Sequence, residues 1–349
     1  MSTIVSQSNS RSGPTEPQLT PNAVTVLKER YLARDDTGQV TETSADLFRR
    51  VAQAVAEAER VWDASDSQCQ QVADDFYGLM ASGSFLPNSP TLMNAGRRLG
   101  MLSACFVLPL EDSIEEIMAT ATQIALVQRA GGGTGIDLSQ LRPRGSIVRS
   151  SGGTTDGPLS FLRVFSGVTE AIQQGAFRRG ANMGILRVDH PDILSFIDAK
   201  SDLTQLSNYN LSVAGTDAFM DALQQQPDAA HVVINPHTGQ LGVLSKHDDT
   251  AQYDSNGSVA SDQPTWSIRD IWKRIVQRAW ESGDPGLVFI DEENRHNQVP
   301  QRGTIRATNP CGEQPLLPYE ACNLGSINLA KFALAQAEAT ALDRIDWTG

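Results

Sequence analysis

Asn309-Pro310-Cys311-Gly312-Glu313-Gln314-Pro315-Leu316-Leu317-Pro318-Tyr319-Glu320-Ala321-Cys322-Asn323-Leu324-Gly325-Ser326-Ile327-Asn328-Leu329 sets an amide, a thiol and a carboxylate at alternate positions: Asn309, Cys311 and Glu313. In an extended segment alternate side chains share one side, so the three are expected to face one pocket. A carboxylate can take a proton from a hydroxyl, an amide can orient the group carrying it, and a sulfur can act on the neighbouring carbon. The same residues equally allow a nucleophilic cysteine. That chemistry normally recruits a histidine, and His190, His231, His237, His247 and His296 sit in no recognisable pairing motif.

Upstream of this stretch the chain changes character once. From Thr43 and Ser44 the apolar residues Leu47, Val51, Val55 and Ala58 recur at helical spacing, and a second run carries Val72, Phe76, Leu79 and Met80 before Gly83. With the segment Val24 to Leu32 they predict a small all-α domain over residues 20–85. After Leu86, short apolar runs at Cys105 to Leu108, Leu211 to Ala214, His231 to Ile234 and Leu287 to Ile290 alternate with helical stretches. Those helices are Ser113 to Gln128, started by Asp112 and early glutamates, Leu159 to Gln173, and Ile268 to Glu281. Alternation of this kind predicts α/β architecture over residues 86–349. Residues 224–264 read as a polar excursion around a single strand, and a further helix is expected from Leu329 to Ala339. Residues 1–19, rich in Ser, Pro, Thr and Gln, cannot repay the entropy of ordering and are expected to be a disordered tail.

The bulk numbers exclude several classes of function. With 349 residues and 40% apolar content the chain can bury a large core, and its net charge of -13 lacks the basic footprint of a nucleic-acid binder. No stretch approaches the roughly 20 apolar residues of a membrane span, so the expected location is the cytoplasm. Four cysteines are too few for a disulfide scaffold. Cys69, in a helical segment, reads as a small buried apolar residue.

Taken whole, the stretch from Asn309 to Leu329 closely resembles the finger-loop segment of ribonucleotide reductases, above all the adenosylcobalamin-dependent ones. The resemblance implies that Cys311 becomes a transient thiyl radical that abstracts the ribose 3'-hydrogen. Glu313 would then be the base at the 3'-hydroxyl, and Asn309 a hydrogen-bonding partner of the substrate. Two further cysteines of the family reduce the substrate radical and end as a disulfide; the matching positions are Cys322 and Cys105, the latter in Leu102-Ser103-Ala104-Cys105. The short step from Cys311 to Cys322 resembles the cobalamin-dependent class rather than the oxygen-dependent one, whose radical arrives from a metal-containing subunit. A third reading is a nucleotide-binding subunit whose catalytic motif is idle.

Other segments carry the resemblance further. Leu86-Pro-Asn-Ser-Pro-Thr-Leu-Met-Asn-Ala-Gly96 is similar to the substrate-cradling segment, which implies Ser89 and Thr91 as substrate contacts, and Ala104, beside Cys105, is expected to be another. The Gly-rich turn at Gln128-Arg-Ala-Gly-Gly-Gly-Thr-Gly-Ile136 lets backbone amides approach an anion, although it lacks the Lys of a P-loop. In the family it lies beside the substrate, with Gly131 as a backbone contact. Asp112 and Arg142 match positions that bind the specificity effector, and are equally readable as a helix cap and a surface cation. Loops at Ser150 to Gly157 and Gly175 to Gly184 resemble those that relay effector identity, with Arg178 and Arg179 as phosphate or base contacts.

The fold so implied is the first half of the ten-stranded α/β barrel of ribonucleotide reductases, preceded by the all-α domain. Its partners would be a ribonucleotide, taken as a diphosphate, deoxynucleotide or ATP effectors, an external dithiol reductant, a second copy of the chain, and a second polypeptide completing the barrel. The cofactor would be adenosylcobalamin, with no protein-bound metal, and no cone for overall ATP and dATP control is expected at the front.

Overall fold

The computed structural model describes residues 16–148, 152–173, 180–253, 264–334 and 345. Most of the expected tail, part of the Ser150 to Gly157 loop, and Arg178 and Arg179 of the second loop lie outside the described residues. The chain divides into two compact units, one of residues 1–104 with 323–349 and one of residues 105–322.

The first unit is built on α1 (Pro21–Arg30), α2 (Ser44–Ala56), α3 (Asp66–Ala81) and the short α4 (Ser89–Asn94). Sequence explains where each begins. Thr43 and Ser65 form capping boxes with Asp46 and Gln68, and Thr20 caps α1 ahead of Pro21, so amides that a helix start leaves unpaired are satisfied. Gly83, at φ +71, follows the end of α3. Leu47, Phe48, Val51 and Ala52 of α2 pack with Met80 and Leu92 as one core. Beside it the Glu42 carboxylate, only 8% exposed, accepts from Arg50 Nε at 2.7 Å, from Arg97 at 3.1 Å and from the Ala33 amide at 2.9 Å. Burial pushes its pKa up, and the Arg50 hydrogen bond with the Ala33 and Arg97 contacts outweighs this, so the carboxyl titrates below the usual glutamate value. In the same unit β1 (Phe85–Pro87) pairs antiparallel with residues 325–327.

In the second unit, parallel strands β2 (Cys105–Val107), β3 (Gly133–Asp137), β4 (Asn182–Arg187), β5 (Tyr209–Gly215) and β9 (Gly286–Phe289) lie side by side in that order. The antiparallel β12 (Ala321–Cys322) borders β2. Helices α5 (Ile114–Arg129), α6 (Pro158–Gln173), α7 (Ile193–Ile197), α8 (Asp217–Gln225) and α9 (Ile268–Ser282) connect them, and α10 (Ile290–Arg295) follows β9 directly. Because side chains alternate along a strand, the sheet has two differently filled faces. Ile136, Leu186, Tyr209, Leu211 and Val213 pack with Ile117 and Ile124 of α5 and Leu162 and Phe165 of α6. The other face, Val107, Met183, Ile185, Ala214 and Val288, packs instead with Ile305, Ala307 and Leu317 around a hairpin. That hairpin is β10 (Ala307–Thr308) paired with β11 (Pro315–Leu316).

Two expectations need correction. Residues 224–264 hold three antiparallel strands among the described residues, β6 (Val232–Ile234), β7 (Leu241–Leu244) and β8 (Ala251–Tyr253), rather than one. Their buried residues Val233 and Leu244 join the helix-covered core; the short strands and polar turn at Asn235 to Gly239 conceal them in the sequence. Where a helix was expected from Leu329, only a 3-10 turn, Leu329–Phe332, is formed before residues outside the described set.

Candidate active site

The pairing of β12 with β2 puts Cys322 directly across from Cys105. Opposed residues of antiparallel strands lie with Cα atoms roughly 4.5–5.5 Å apart, inside the window of roughly 4.4–6.8 Å that a disulfide spans. Both cysteines are free thiols, and the Cys322 thiol hydrogen-bonds with that of Cys105. Burial pushes the Cys322 thiol up to about 12, reinforced by Cys105 and by the negative charge of Glu313. At neutral pH it is a protonated thiol, the form that gives up hydrogen rather than the form that attacks as a nucleophile.

Asn309 comes to the same place from the hairpin. Its side chain is fully buried and its Nδ2 donates to Cys105 Sγ at 3.3 Å. The same residue closes the loop on itself: its N–H donates to the Gln314 carbonyl (3.1 Å), its Oδ1 accepts from Gln314 N–H (3.0 Å), and its carbonyl accepts from Gly312 N–H (3.1 Å). Gly312, at φ +82, supplies the left-handed turn. The segment is therefore a tight turn and the alternation rule of an extended loop does not apply: Asn309 points inward, whereas Cys311 and Glu313 are exposed. Among the expected catalytic residues the structure brings together Cys105, Cys322 and Asn309, within electrostatic reach of Glu313.

The glycines of the Gly-rich segment serve packing that sequence reasoning missed. Gly131, at φ +87, ends α5 with its N–H donated to the Gln128 carbonyl. Gly133 and Gly135 belong to β3, with the hairpin laid against them. A Cβ at Gly135 would stand 1.7 Å from the Thr308 carbonyl oxygen, and one at Gly133 would stand 2.6 Å from Pro310 Cγ. Two further residues escaped the sequence reading. Asn182 is buried at the start of β4, where its Oδ1 accepts from Gln128 Nε2 (2.7 Å) and Thr134 Oγ1 (2.6 Å). Asn210 on β5 donates to the Pro310 carbonyl at 2.7 Å.

The remaining expected residues fall elsewhere. Arg142 Nε lies 2.7 Å from Asp112 Oδ2 and its N–H donates to Asp112 Oδ1 at 3.3 Å, while the cap of α5 is Ser113 rather than Asp112. Ser89, Thr91 and Ala104 belong to the first unit. Ser89 Oγ is 2.8 Å from the Tyr31 hydroxyl, Thr91 Oγ1 donates to the Leu102 carbonyl at 2.9 Å, and Ala104 is buried. Cys69 is buried in α3. Among the described residues, no three His, Cys, Asp or Glu side chains form a group able to hold a metal ion.

Comparison with known proteins decides what this arrangement belongs to. The family model for the barrel domain of ribonucleotide reductase matches residues 103–348, and that for its all-alpha domain matches residues 17–100. The chain belongs to the ribonucleotide reductase family. A vitamin B12-dependent ribonucleoside-diphosphate reductase of Mycobacterium tuberculosis (strain CDC 1551 / Oshkosh) is 46% identical over 333 residues, 95% of this chain and 44% of that protein. One from Thermoplasma acidophilum is 40% identical over 371 residues, 91% of this chain and 45% of its own length. This ribonucleotide reductase chain thus spans less than half the length of these curated relatives. The fold also matches the alpha subunit of an Actinobacillus ureae class Id ribonucleotide reductase, with a TM-score of 0.65 at 24% identity over 90% of this chain and 50% of that one. The five parallel strands are a half-barrel sheet of the ribonucleotide reductase fold, with the family's all-α domain ahead of it. No helix of the described residues is long and apolar enough to cross a membrane.

Proposed function

We propose that this chain carries the radical-bearing and reducing thiols of an adenosylcobalamin-dependent reductase that converts ribonucleoside diphosphates to 2'-deoxyribonucleotides in the cytoplasm. The observation that carries the reading is the pair of opposed, hydrogen-bonded thiols Cys105 and Cys322, with the Asn309 amide on one of them. Cys311, as a thiyl radical, takes the 3'-hydrogen of the ribose. Glu313 accepts the 3'-hydroxyl proton, and Asn309, which can exchange its bond to Cys105 for one to the substrate, holds the sugar. The two thiols then supply two electrons and two protons: one proton leaves with the 2'-hydroxyl as water, the other ends as the new hydrogen on the 2'-carbon, Glu313 gives its proton back to the 3'-oxygen, Cys311 returns the 3'-hydrogen, and Cys105 and Cys322 become a disulfide. A nearly unionised Cys322 suits this role, because the thiol must carry its hydrogen into the reaction.

Adenosylcobalamin, when bound, supplies the radical equivalent that removes the Cys311 hydrogen. The chain's residues fit such a group at one point: Cys311 is exposed at the loop corner and the neighbouring Gly312 has no side chain to block approach. The cofactor assignment is drawn from the B12-dependent relatives and from the short Cys311 to Cys322 step. Ser89, Thr91, Ala104 and Gly131 are assigned to the substrate. The paired Asp112 and Arg142, with Arg178 and Arg179, are assigned to a specificity effector, in a dimer regenerated by an external dithiol. Barrel strands beyond this segment, in the same or a second polypeptide, would complete the site.

The test is deoxynucleotide formation by the purified protein with a mixture of ribonucleoside diphosphates, adenosylcobalamin, effectors and a small dithiol. Product formation that requires the cofactor and is abolished in Cys311→Ala supports the reading; activity retained in that variant overturns it.

A further inference from the structure

Three side-chain positions form one rung of the sheet under the loop that bears Cys311. Gly135 of β3 is in register with Met183 of β4, and Met183 with Asn210 of β5. Along the rung the sheet presents bare backbone, a thioether and an amide in turn. Each element meets a different part of the loop. The Thr308 carbonyl lies on Gly135, a Cβ on Gly312 would come 4.0 Å from Met183 Cε, and Asn210 Nδ2 bonds the Pro310 carbonyl. The hydrogen bonds of Asn309 are internal to the loop or made toward Cys105. They fix its shape, whereas the Asn210 bond ties it to the sheet on the side away from β2.

The bonded carbonyl belongs to the peptide whose nitrogen is that of Cys311. A peptide is planar, so holding its oxygen sets the plane from which the Cys311 Cα departs. We infer that Asn210 is a positioning residue for Cys311: it fixes the Pro310–Cys311 peptide on β5 and thereby the direction of the thiol, without touching substrate. The inference rests on the proposed role of Cys311. A radical transfer between thiol and ribose carbon requires close placement, and a misplacement of about 1 Å can cost on the order of 100-fold in rate.

Asn210→Asp keeps the shape and replaces the donor by an acceptor facing the Pro310 oxygen; Asn210→Ala removes the bond without repulsion. Hydrogen exchange on the full-length protein gives a readout independent of activity. In both variants the amides of Gly312 and Gln314 are expected to exchange about 10-fold faster or more, as their opening is no longer opposed by the sheet, while the amides of β4 and of Tyr209 keep their rates. Turnover should fall by about 10- to 100-fold in kcat, with KM for the ribonucleotide within about 2-fold. Unchanged loop exchange in both variants, or a uniform rise that includes β4, would overturn the inference, as would an intact kcat in an enzyme that Cys311→Ala inactivates. Activity surviving in Cys311→Ala would instead remove the functional reading itself.

Discussion

Cys322 stands opposite Cys105 in the antiparallel register of β12 and β2, and the two reduced thiols share a hydrogen bond. Neither cysteine reaches the other by local sequence: one lies in the first strand of the sheet, the other in a short strand that returns after the last. Oxidation should therefore join these two and leave Cys69, buried in α3, unpaired. Peptide mapping after mild oxidation of the folded protein should find a Cys105–Cys322 link, and Cys105→Ser should abolish it. A Cys311–Cys322 link as the main product would contradict the register.

The ionisation of Cys322 gives a pH signature. Its folded pKa is raised to about 12, against an ordinary thiol near 9, so its thiolate fraction keeps growing well past pH 9. Alkylation of Cys322 should accelerate through pH 10 with no plateau. Removing the Glu313 charge in Glu313→Gln lowers that pKa and should speed alkylation severalfold at fixed pH; a slower rate in the variant would sink the assignment.

Gly135→Ala should be far more damaging than its one added carbon suggests. The new Cβ would stand 1.7 Å from the Thr308 carbonyl, a backbone atom that can move only with the hairpin. A stability loss of about 1–3 kcal/mol is expected, together with a loss of turnover on the order of 100-fold. Gly133→Ala meets the edge of the Pro310 ring instead, and should cost less in both. Thermal unfolding and steady-state rates of the two variants check the order.

Glu42 makes the first unit acid-sensitive. Its pKa is depressed in the folded state, so its contribution is complete above the unfolded glutamate value and is lost as pH falls through the lower folded one. Urea unfolding below pH 5 should show this loss, and Glu42→Gln should flatten it. Glu42→Ala leaves Arg50 and Arg97 without their carboxylate and should cost about 3 kcal/mol at neutral pH.

Glu293 predicts the opposite slope. Burial alone raises its carboxyl to about 7, and its Oε2 has no hydrogen-bond partner. An acid with a raised folded pKa destabilises the fold progressively as pH climbs from the unfolded value near 4.5 toward 7 and leaves a constant penalty above. Glu293→Gln should therefore raise Tm at pH 8 and change it little at pH 4; the reverse pattern would refute the cause assigned.

The helices expected from Ser113 and from Ile268 were readable because their signals are local, polar starts followed by a 3.6-residue stripe, although the start of α5 was read at Asp112, one residue before its cap Ser113. The thiol pair was readable only through family resemblance, since nothing near Cys105 in sequence announces Cys322. What escaped reading depended on contacts across the chain. Gly133 and Gly135 look like a flexible turn until Thr308 and Pro310 are laid on them, and Asn210 looks like an ordinary strand polar residue until the Pro310 carbonyl arrives. The alternation of Asn309, Cys311 and Glu313 misled because Gly312 reverses the backbone between them.

The bare rung at Gly135 also bears on how the protein is made. On a ribosome β3 is finished long before residues 307–316 emerge, and β3 offers no side chain at Gly133 or Gly135 with which to fill the space the hairpin will take. The face of the nascent sheet that carries Met183 and Ile185 thus stays open until the segment that bears Cys311 has been made.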